Sequence, residues 1–318
     1  MEIRGLGPDG KVVVTSDDIL NLTEIPTNLL ILGGGYIGVE FASIFSALGS
    51  KVTLVEQLPD ILGEMDAEGV RMINSLLKKS RVEVLTESKL QNLERGENGI
   101  QVQILSPNGL IENSYEKMLL ATGRRAFIDA SFKELGIKID EKQIIVNSQM
   151  ETNIANVYAV GDVAGPPLLA HAAMAEAEVA ADNIMGKKRF IDHSKIPSCI
   201  FTTPEMASVG LTEQMSVQNH EIKIGKFPFR FSSRAILANE IEGFLKVIAD
   251  ANSREILGIH IIGPNAAELI AAASVLINVK ATVEDLAEAV QVHPTLGEAF
   301  TEAALDVDGM GIHIPKSL

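Results

Sequence analysis

The glycine-rich run at residues 33–38 constrains the fold of this chain more than any other feature. It reads Gly33-Gly34-Gly35-Tyr36-Ile37-Gly38. The run matches G-x-G-x-x-G, directly follows the apolar segment Leu29–Leu32 and leads into a helical pattern. In that setting the first glycine permits a tight turn, the second lets the backbone approach a pyrophosphate, and the third lets the helix pack against the strand. The run therefore predicts a βαβ unit that holds a dinucleotide pyrophosphate at a helix N-terminus.

An acidic residue at the end of the next strand predicts which dinucleotide is bound. Glu56 ends the next predicted strand, 18 positions after Gly38, close to where a carboxylate would hold the adenosine ribose hydroxyls. A carboxylate there repels a ribose phosphate, and residues 57–60, Gln-Leu-Pro-Asp, offer no Arg or Lys to pair with one. We therefore expect NAD rather than NADP. The alternative, a glycine turn without a ligand, is disfavoured by the complete context of strand, helix and acid.

Composition and charge narrow the class of protein. With 318 residues, of which 46% are hydrophobic, the chain fits two or three globular domains. The net charge of -15 argues against nucleic acid or an anionic membrane surface as a partner. Because no apolar run is long enough for a membrane helix and the polar residues 1–4 lack a signal-peptide core, we expect a cytoplasmic location. Cys199 is the only cysteine, which excludes an internal disulfide and a Cys-x-x-Cys pair.

The order of the predicted elements indicates an α/β protein with three parts. Residues 1–124 alternate strands and helices, as in a parallel α/β layer. Residues 125–194 look too small for a complete domain, and in residues 195–318 strands precede helices, which suggests an α+β domain. Predicted helices are 67–79, 168–184, 266–278 and 296–306. Predicted strands beyond the first βαβ unit are 82–85, 100–105, 117–121, 157–160, 199–202, 222–227, 244–249 and 256–262, with a turn at 107–109.

Four segments together give the chain a family resemblance. They read Gly33-Gly34-Gly35-Tyr36-Ile37-Gly38-Val39-Glu40, Ala121-Thr122-Gly123-Arg124-Arg125, Val157-Tyr158-Ala159-Val160-Gly161-Asp162 and His293-Pro294-Thr295-Leu296-Gly297-Glu298. In order and spacing they resemble the C-terminal two thirds of the dihydrolipoamide dehydrogenases, within the FAD-dependent pyridine-nucleotide disulfide oxidoreductase family. The resemblance implies a Rossmann-like NAD-binding domain over residues 1–124, a remnant of an FAD domain over 125–194 and an α+β dimerisation domain over 195–318.

The resemblance implies further contacts with NAD. It places Glu40 beside the nicotinamide end of the cofactor and Gly123 where the chain leaves the NAD domain close to it. Taken without the resemblance, Glu40 is equally a solvent-facing helix carboxylate and Gly123 a turn glycine.

Contacts with FAD are implied in the middle segment. Gly161 and Asp162 resemble the family's second FAD motif, in which the aspartate carboxylate accepts hydrogen bonds from ribityl hydroxyls. The stretch Leu168, Leu169 and Ala170 resembles the helix start whose backbone N–H groups face the flavin pyrimidine. Read alone, Asp162 is equally a turn or N-cap aspartate.

By the same resemblance His293 and Glu298 form the family's acid–base pair. The imidazole shuttles a thiol proton, and the carboxylate orients the ring and stabilises the imidazolium. From spacing alone, Thr295 to Glu298 also reads as a T-x-x-E capping box, in which the glutamate only ties off a helix start. The remaining histidines show no metal-ligand spacing, so we interpret them as surface or structural residues and expect no metal site. They are His171, His193, His220, His260 and His313.

Two parts of the family pattern are not found in this sequence: a first FAD-binding βαβ unit and a redox disulfide with four residues between its cysteines. In the family, hydride passes from dihydrolipoamide through that disulfide and FAD to NAD. We therefore expect this chain alone to bind NAD and form a homodimer without the full activity, and to bind FAD weakly or not at all. For the full-length enzyme, the resemblance implies the lipoyl domains of 2-oxo acid dehydrogenase complexes as partners.

Two other functions remain open at this stage. The chain could be a non-enzymatic dimerisation module in which the dinucleotide fold is only a scaffold. It could also come from another disulfide reductase of the same superfamily, such as a glutathione- or mercuric-reductase-like protein, although Glu56 argues against the members that use NADP.

Overall fold

The computed structural model describes residues 6–140 and 142–315, so the polar start at residues 1–4 lies outside the described part. The chain divides into two compact units. One contains the residues up to Gly123 together with those from Cys199 onward, and the other is Arg124–Ser198. The division into three functional domains at residues 124 and 194 stays a prediction.

The described residues contain thirteen strands, ten α-helices and three short 3-10 helices. The strands are β1 Val13–Val14, β2 Asn28–Leu32, β3 Lys51–Val55, β4 Glu83–Leu85, β5 Lys89–Arg95, β6 Ile100–Ser106, β7 Gly109–Tyr115, β8 Lys117–Leu120, β9 Ser198–Ile200, β10 Glu205–Gly210, β11 Ile222–Pro228, β12 Phe244–Asp250 and β13 Ile256–Gly263. The helices are α1 Ser16–Ile19, α2 Tyr36–Ala47, α3 Ala67–Lys79, α4 Ser131–Glu134, α5 Ala170–Ile184, α6 Glu213–Ser216, α7 Ser233–Ala238, α8 Ala266–Val279, α9 Val283–Ala287 and α10 Glu298–Asp306.

A parallel sheet carries the predicted dinucleotide motif. Its strand order is β1-β8-β2-β3-β4, and every pairing between neighbours is parallel. The central strand β2 is apolar throughout its buried residues Leu29–Ile31, because a parallel strand is covered on both faces. The predicted βαβ unit is confirmed, and α3 has the bounds expected from the sequence.

The second large sheet lies in the C-terminal part of the same unit. Its order is β11-β12-β13-β10-β9, with antiparallel pairing from β11 through β12 and β13 to β10. One apolar core joins β12 and β13 to α8 and α10, with Val247, Ile259, Ala273 and Ala303 fully buried. This arrangement of strands and helices confirms the predicted α+β domain.

Several strands were not predicted, and one predicted strand is wrong. The three-stranded antiparallel sheet β5-β6-β7 contains two unpredicted strands, and β10 was also missed. A bulge between Leu90 and Asn92 breaks the alternation in β5, and β7 is exposed and polar over most of its length. The expected strand 157–160 is reduced to one bridge between Glu151 and Tyr158, because the described residues of its unit provide no adjacent strand to extend the pairing.

Within the described residues, no helix combines the length and apolar character needed to cross a membrane. The cytoplasmic location stays a prediction.

Candidate functional site

Three glycines shape the loop between β2 and α2. Gly33 has φ +112, and a side chain there would overlap the carbonyl oxygen of Ala121 on the neighbouring strand's end. A Cβ at Gly38 would overlap the carbonyl oxygen of Gly33, so the first turn of α2 lies directly against the loop. By contrast, a Cβ at Gly35 would meet no atom within 4 Å. The loop is therefore closed on the protein side and open at the glycine expected to face a pyrophosphate.

Helix α2 begins at this open position. Its N-cap is Gly35, and no side chain caps the helix start. The hydroxyl of Tyr36 donates to the sulfur of Met65 at 3.4 Å, which directs that ring toward the loop before α3, while Ile37 is half-buried. Backbone N–H groups at a helix start attract anions, so the arrangement suits a phosphate group.

The carboxylate of Glu56 is held against the same loop. Its Oε2 accepts a hydrogen bond of 2.6 Å from the Gly34 N–H, and its Oε1 accepts one of 2.8 Å from the Leu58 N–H. Each oxygen keeps further lone-pair capacity, so the group can still accept from ribose hydroxyls. The expected role of Glu56 in excluding the additional ribose phosphate of NADP stays a prediction.

Glu40 lies one turn further along α2 and reaches the second sheet. Its Oε1 accepts a hydrogen bond of 2.8 Å from the Phe201 N–H, just after β9. Burial raises the pKa of Glu40, and this hydrogen bond offsets only part of the effect. Gly123, with φ +101 and open space around it, follows β8. The proposed contacts of Glu40 and Gly123 with NAD stay predictions.

Cys199 lies on β9 close to this carboxylate. Burial, Glu205 and Glu40 raise the pKa of its thiol to about 12. A protonated thiol is a poor nucleophile, and the partly buried side chain packs against the apolar core of the second sheet.

Alkylation should show this directly. At pH 8 we expect the folded chain to react with iodoacetamide at least about a hundredfold more slowly than the urea-unfolded chain, because far less thiolate is present. Mass spectrometry of quenched samples measures both rates on the same single thiol. Equal rates would contradict the raised pKa.

The second unit contains the predicted FAD motif. Gly161–Ala164 is a short 3-10 helix, and Asp162 in it is exposed. Helix α5 begins at Ala170 with Leu169 as its N-cap and no side-chain cap, so the predicted helix start at Leu168 is two residues too early. The role of these residues toward FAD stays a prediction.

Sequence analysis missed a residue that supports this motif. Glu176 on α5 is 1% exposed, its Oε2 accepts 2.7 Å from the Gly161 N–H, and its Oε1 lies 2.8 Å from His193 Nε2. Its position in the sequence offered one signal: it lies four residues after Ala172 and four before Ala180, on the buried face of α5. A carboxylate on an apolar helix face needs partners, because an unpaired buried charge is costly.

His293 and Glu298 are brought together as predicted. His293 Nδ1 lies 2.8 Å from Glu298 Oε1, and Glu298 Oε2 accepts 2.9 Å from the Thr295 N–H. Burial raises the pKa of Glu298, but the hydrogen bonds from His293 and Thr295 outweigh it and the pKa lies below its usual value. Of the alternative capping box only the glutamate half is present, the hydrogen bond from the Thr295 N–H to Glu298. The Thr295 hydroxyl donates to the Val292 carbonyl instead, and α10 starts at Glu298 with Gly297 as an uncapped N-cap.

A second histidine–carboxylate pair shares the cavity of about 290 Å³ that His293 and Glu298 line. His313 Nδ1 lies 2.7 Å from Glu302 Oε1, and Glu302 Oε2 accepts from the Ile312 and His313 N–H groups at 3.0 Å each. The sequence pattern did not reveal this pair. In the described part of the chain, no group of three or more His, Cys, Asp or Glu side chains could hold a metal ion.

Two family models match the chain in consecutive stretches. The pyridine nucleotide-disulphide oxidoreductase model matches residues 1–177, and the dimerisation-domain model of the same name matches residues 196–304. The chain belongs to this family. The resemblance drawn from the four sequence segments is thereby confirmed, together with the class of Rossmann-like and dimerisation domains.

Curated relatives of this family cover nearly the whole chain. Dihydrolipoyl dehydrogenase from Thermus scotoductus is 41% identical over 99% of this chain and 69% of its own length. The Bacillus subtilis dihydrolipoyl dehydrogenase is 38% identical over 98% of this chain and 67% of its length. The chain thus spans about two thirds of the length of these relatives.

Two solved structures share the fold of this chain. The HOCl-induced flavoprotein disulfide reductase RclA from Escherichia coli superposes with a TM-score of 0.85 at 27% identity, over 96% of this chain and 70% of the other. LpdA from Mycobacterium tuberculosis superposes with a TM-score of 0.89 at 24% identity, over 96% of this chain and 66% of the other. At that identity the match supports the fold alone.

Proposed function

We propose that this chain is the NAD-binding and dimerising portion of a dihydrolipoyl dehydrogenase. The observation that carries the proposal is the loop of residues 33–38, open at Gly35 and joined through the Gly34 N–H to the carboxylate of Glu56. That geometry offers an anion site at a helix start and a ribose acceptor beside it. The names of the relatives support the choice of enzyme within the family.

The residues present fit the nicotinamide cofactor better than they fit a complete flavin site. For FAD, the exposed carboxylate of Asp162 and the uncapped start of α5 would hold the ribityl chain and the pyrimidine edge. FAD would supply hydride transfer between a redox disulfide and the nicotinamide. Since Cys199 is the only cysteine, this chain cannot form that disulfide within itself, and we do not expect the full reaction from it alone.

His293 and Glu298 would serve the disulfide site. With Nδ1 held by the carboxylate, the imidazole has Nε2 left to exchange a proton with a thiol. The dimerisation domain supports a homodimer, and we propose that His293 of one subunit serves the disulfide of the other. Lipoyl domains of 2-oxo acid dehydrogenase complexes are the proposed protein partners.

A second candidate is another disulfide reductase of the family. The 27% identity and shared fold with RclA favour it, since RclA is itself a flavoprotein disulfide reductase. The higher identity to dihydrolipoyl dehydrogenases over a similar span makes it the weaker candidate.

Calorimetry with NADH and NADPH, together with a visible spectrum of the purified chain, tests the proposal. We expect NADH to bind at least about tenfold more tightly than NADPH, because Glu56 repels the additional phosphate. We also expect little or no flavin absorbance. If neither nucleotide binds, the assignment of residues 33–56 is wrong and a dimerisation module becomes the better account.

A further inference from the structure

A buried ion cluster joins the dinucleotide domain to the second sheet. Lys246 on β12 is fully buried, and its Nζ donates to both carboxylate oxygens of Asp66 at 3.0 and 3.2 Å and to Glu213 at 2.6 Å. Glu68 lies 3.5 Å from the same nitrogen. Asp66 is 1% exposed and also accepts from the Glu213 N–H at 3.3 Å. Lys246 therefore links the second sheet to the dinucleotide domain through a buried ion pair with Asp66.

The charge states of this cluster are consistent with an ion pair. Burial raises the pKa of Asp66, but interactions with His260 and Lys246 outweigh it, so the pKa lies below the ordinary value. Burial lowers the pKa of Lys246, but hydrogen bonds and charges from Glu213 and Asp66 raise it above the ordinary value. Both groups are charged at neutral pH.

Asp66 stands at the end of a loop that leads back to the dinucleotide motif. It is the N-cap of α3 and accepts from the Glu68 N–H at 3.2 Å. The preceding residue, Met65, donates its N–H to the Leu62 carbonyl and accepts the hydroxyl of Tyr36 on its sulfur. The Leu62 N–H in turn donates 2.9 Å to the carbonyl of Gly34.

Together these contacts form a continuous path from β12 to the loop where a pyrophosphate would lie. Gly34 is the residue whose carbonyl is held by Leu62 and whose N–H holds the Glu56 carboxylate. If the segment 56–66 moves, Gly34 loses its hydrogen bond from Leu62, Tyr36 loses its contact with Met65, and Glu56 loses its hydrogen bond from Leu58. A rigid support of this kind is what a preorganised binding site needs.

We infer that Lys246 and Asp66 are positioning residues for the nucleotide site, so that the second sheet holds the segment 56–66 and with it the loop that binds NAD. The inference rests on the proposed function.

Two substitutions test the inference by calorimetry with NADH. Lys246→Met removes the cation, and Asp66→Asn removes the anion while keeping an N-cap side chain for α3. We expect each to weaken NADH binding about three- to tenfold, the size of coupling that a contact path of this kind carries. The double variant Lys246→Met with Asp66→Asn should bind no more weakly than Lys246→Met alone, because the second change removes the unpaired carboxylate.

Lys226→Met is the matched control. Lys226 lies on the adjacent strand β11 and pairs with Glu68 at 2.6 Å, but it is partly exposed and does not contact Asp66. The same change of residue type there should leave NADH affinity within about twofold, because exposed ion pairs contribute little.

Amide hydrogen exchange provides a readout that needs no nucleotide. Faster exchange of the Leu62 and Gly34 N–H groups in Asp66→Asn, with unchanged exchange in the core of β12, supports the inference even if the wild-type chain fails to bind NADH and the proposed function falls. The inference is wrong if folded Lys246→Met and Asp66→Asn bind NADH with unchanged affinity. If the wild-type chain does not bind NADH, the inference is wrong if the Leu62 N–H exchanges at the same rate in Asp66→Asn as in the wild type. If the ion pair only stabilises the fold, the variants should unfold at lower urea concentration while NADH affinity and the exchange rate at Leu62 stay unchanged.

Discussion

Replacing Gly35 with alanine is expected to abolish measurable NADH binding while the chain stays folded. The backbone at Gly35 has φ -75 and ψ -171, a region open to every residue type, and an added Cβ meets no atom within 4 Å. The methyl group therefore adds no strain. It does occupy the space at the start of α2 through which a pyrophosphate must approach, so we expect a loss of roughly a hundredfold or more in NADH affinity. Calorimetry gives the affinity, and thermal unfolding reports the fold.

Gly7→Ala provides the matched control. Gly7 is also exposed, and a Cβ there also meets no atom within 4 Å, but it lies before β1 rather than at the helix start. Both the affinity and the unfolding temperature should stay at their wild-type values. If Gly35→Ala binds NADH as tightly as Gly7→Ala does, the pyrophosphate does not lie at the start of α2.

The parts of the fold that sequence reasoning found are those specified by neighbouring residues. The turn after β2, the helix α2 and the strand β3 follow from glycine chemistry and an apolar run within one short stretch. Helix α3 and four strands of the second sheet have periodic apolar residues, which is why their positions were predicted to within a few residues. The pairing of His293 with Glu298 is equally local, because only a short turn separates them.

The parts that were missed depend on residues far apart in the sequence. Lys246 interrupts the apolar run of β12, whose residues Phe244–Ala249 are all buried, and the sequence does not show which charges compensate a lysine there. Asp66, the N-cap of α3, reaches Lys246 only because the two domains pack together, whereas Glu213 on α6 belongs to the same domain as β12. Glu176 and Glu302 are similar cases, since each buried carboxylate is paired with a histidine and backbone N–H groups contributed by another segment.

Lys246→Met is expected to lower the free energy of unfolding more than any other single substitution proposed for this chain. Methionine is similar in length to lysine, so packing is largely kept, but the carboxylate of Asp66 is left buried without its cation. Removing one partner of a buried ion pair costs about 3–5 kcal/mol, because the remaining charge stays uncompensated. Urea unfolding of the wild type and the variant measures the difference in the free energy of unfolding.

Two control variants distinguish the effect of a buried unpaired charge on stability from the effect of losing a lysine side chain. Lys226→Met removes a partly exposed pair and should cost no more than about 1 kcal/mol. Adding Asp66→Asn to Lys246→Met should recover part of the lost stability, because a neutral side chain then takes the buried position. If Lys246→Met is as stable as Lys226→Met, the ion pair does not stabilise the junction between the domains.

Acidification should reduce the difference in the free energy of unfolding between the wild type and Lys246→Met. The pKa of Asp66 in the folded wild type is below its ordinary value. The carboxylate therefore stabilises the fold fully at pH values above its pKa in the unfolded chain, and this contribution is lost as the pH falls through its pKa in the folded chain. In the variant, burial acts without Lys246, so the pKa of Asp66 should rise and the carboxyl should take up a proton at higher pH. The gap in the free energy of unfolding should therefore be widest near neutral pH and narrow toward pH 4. A gap that stays constant over that range would mean that lost packing, and not the buried charge of Asp66, accounts for the destabilisation.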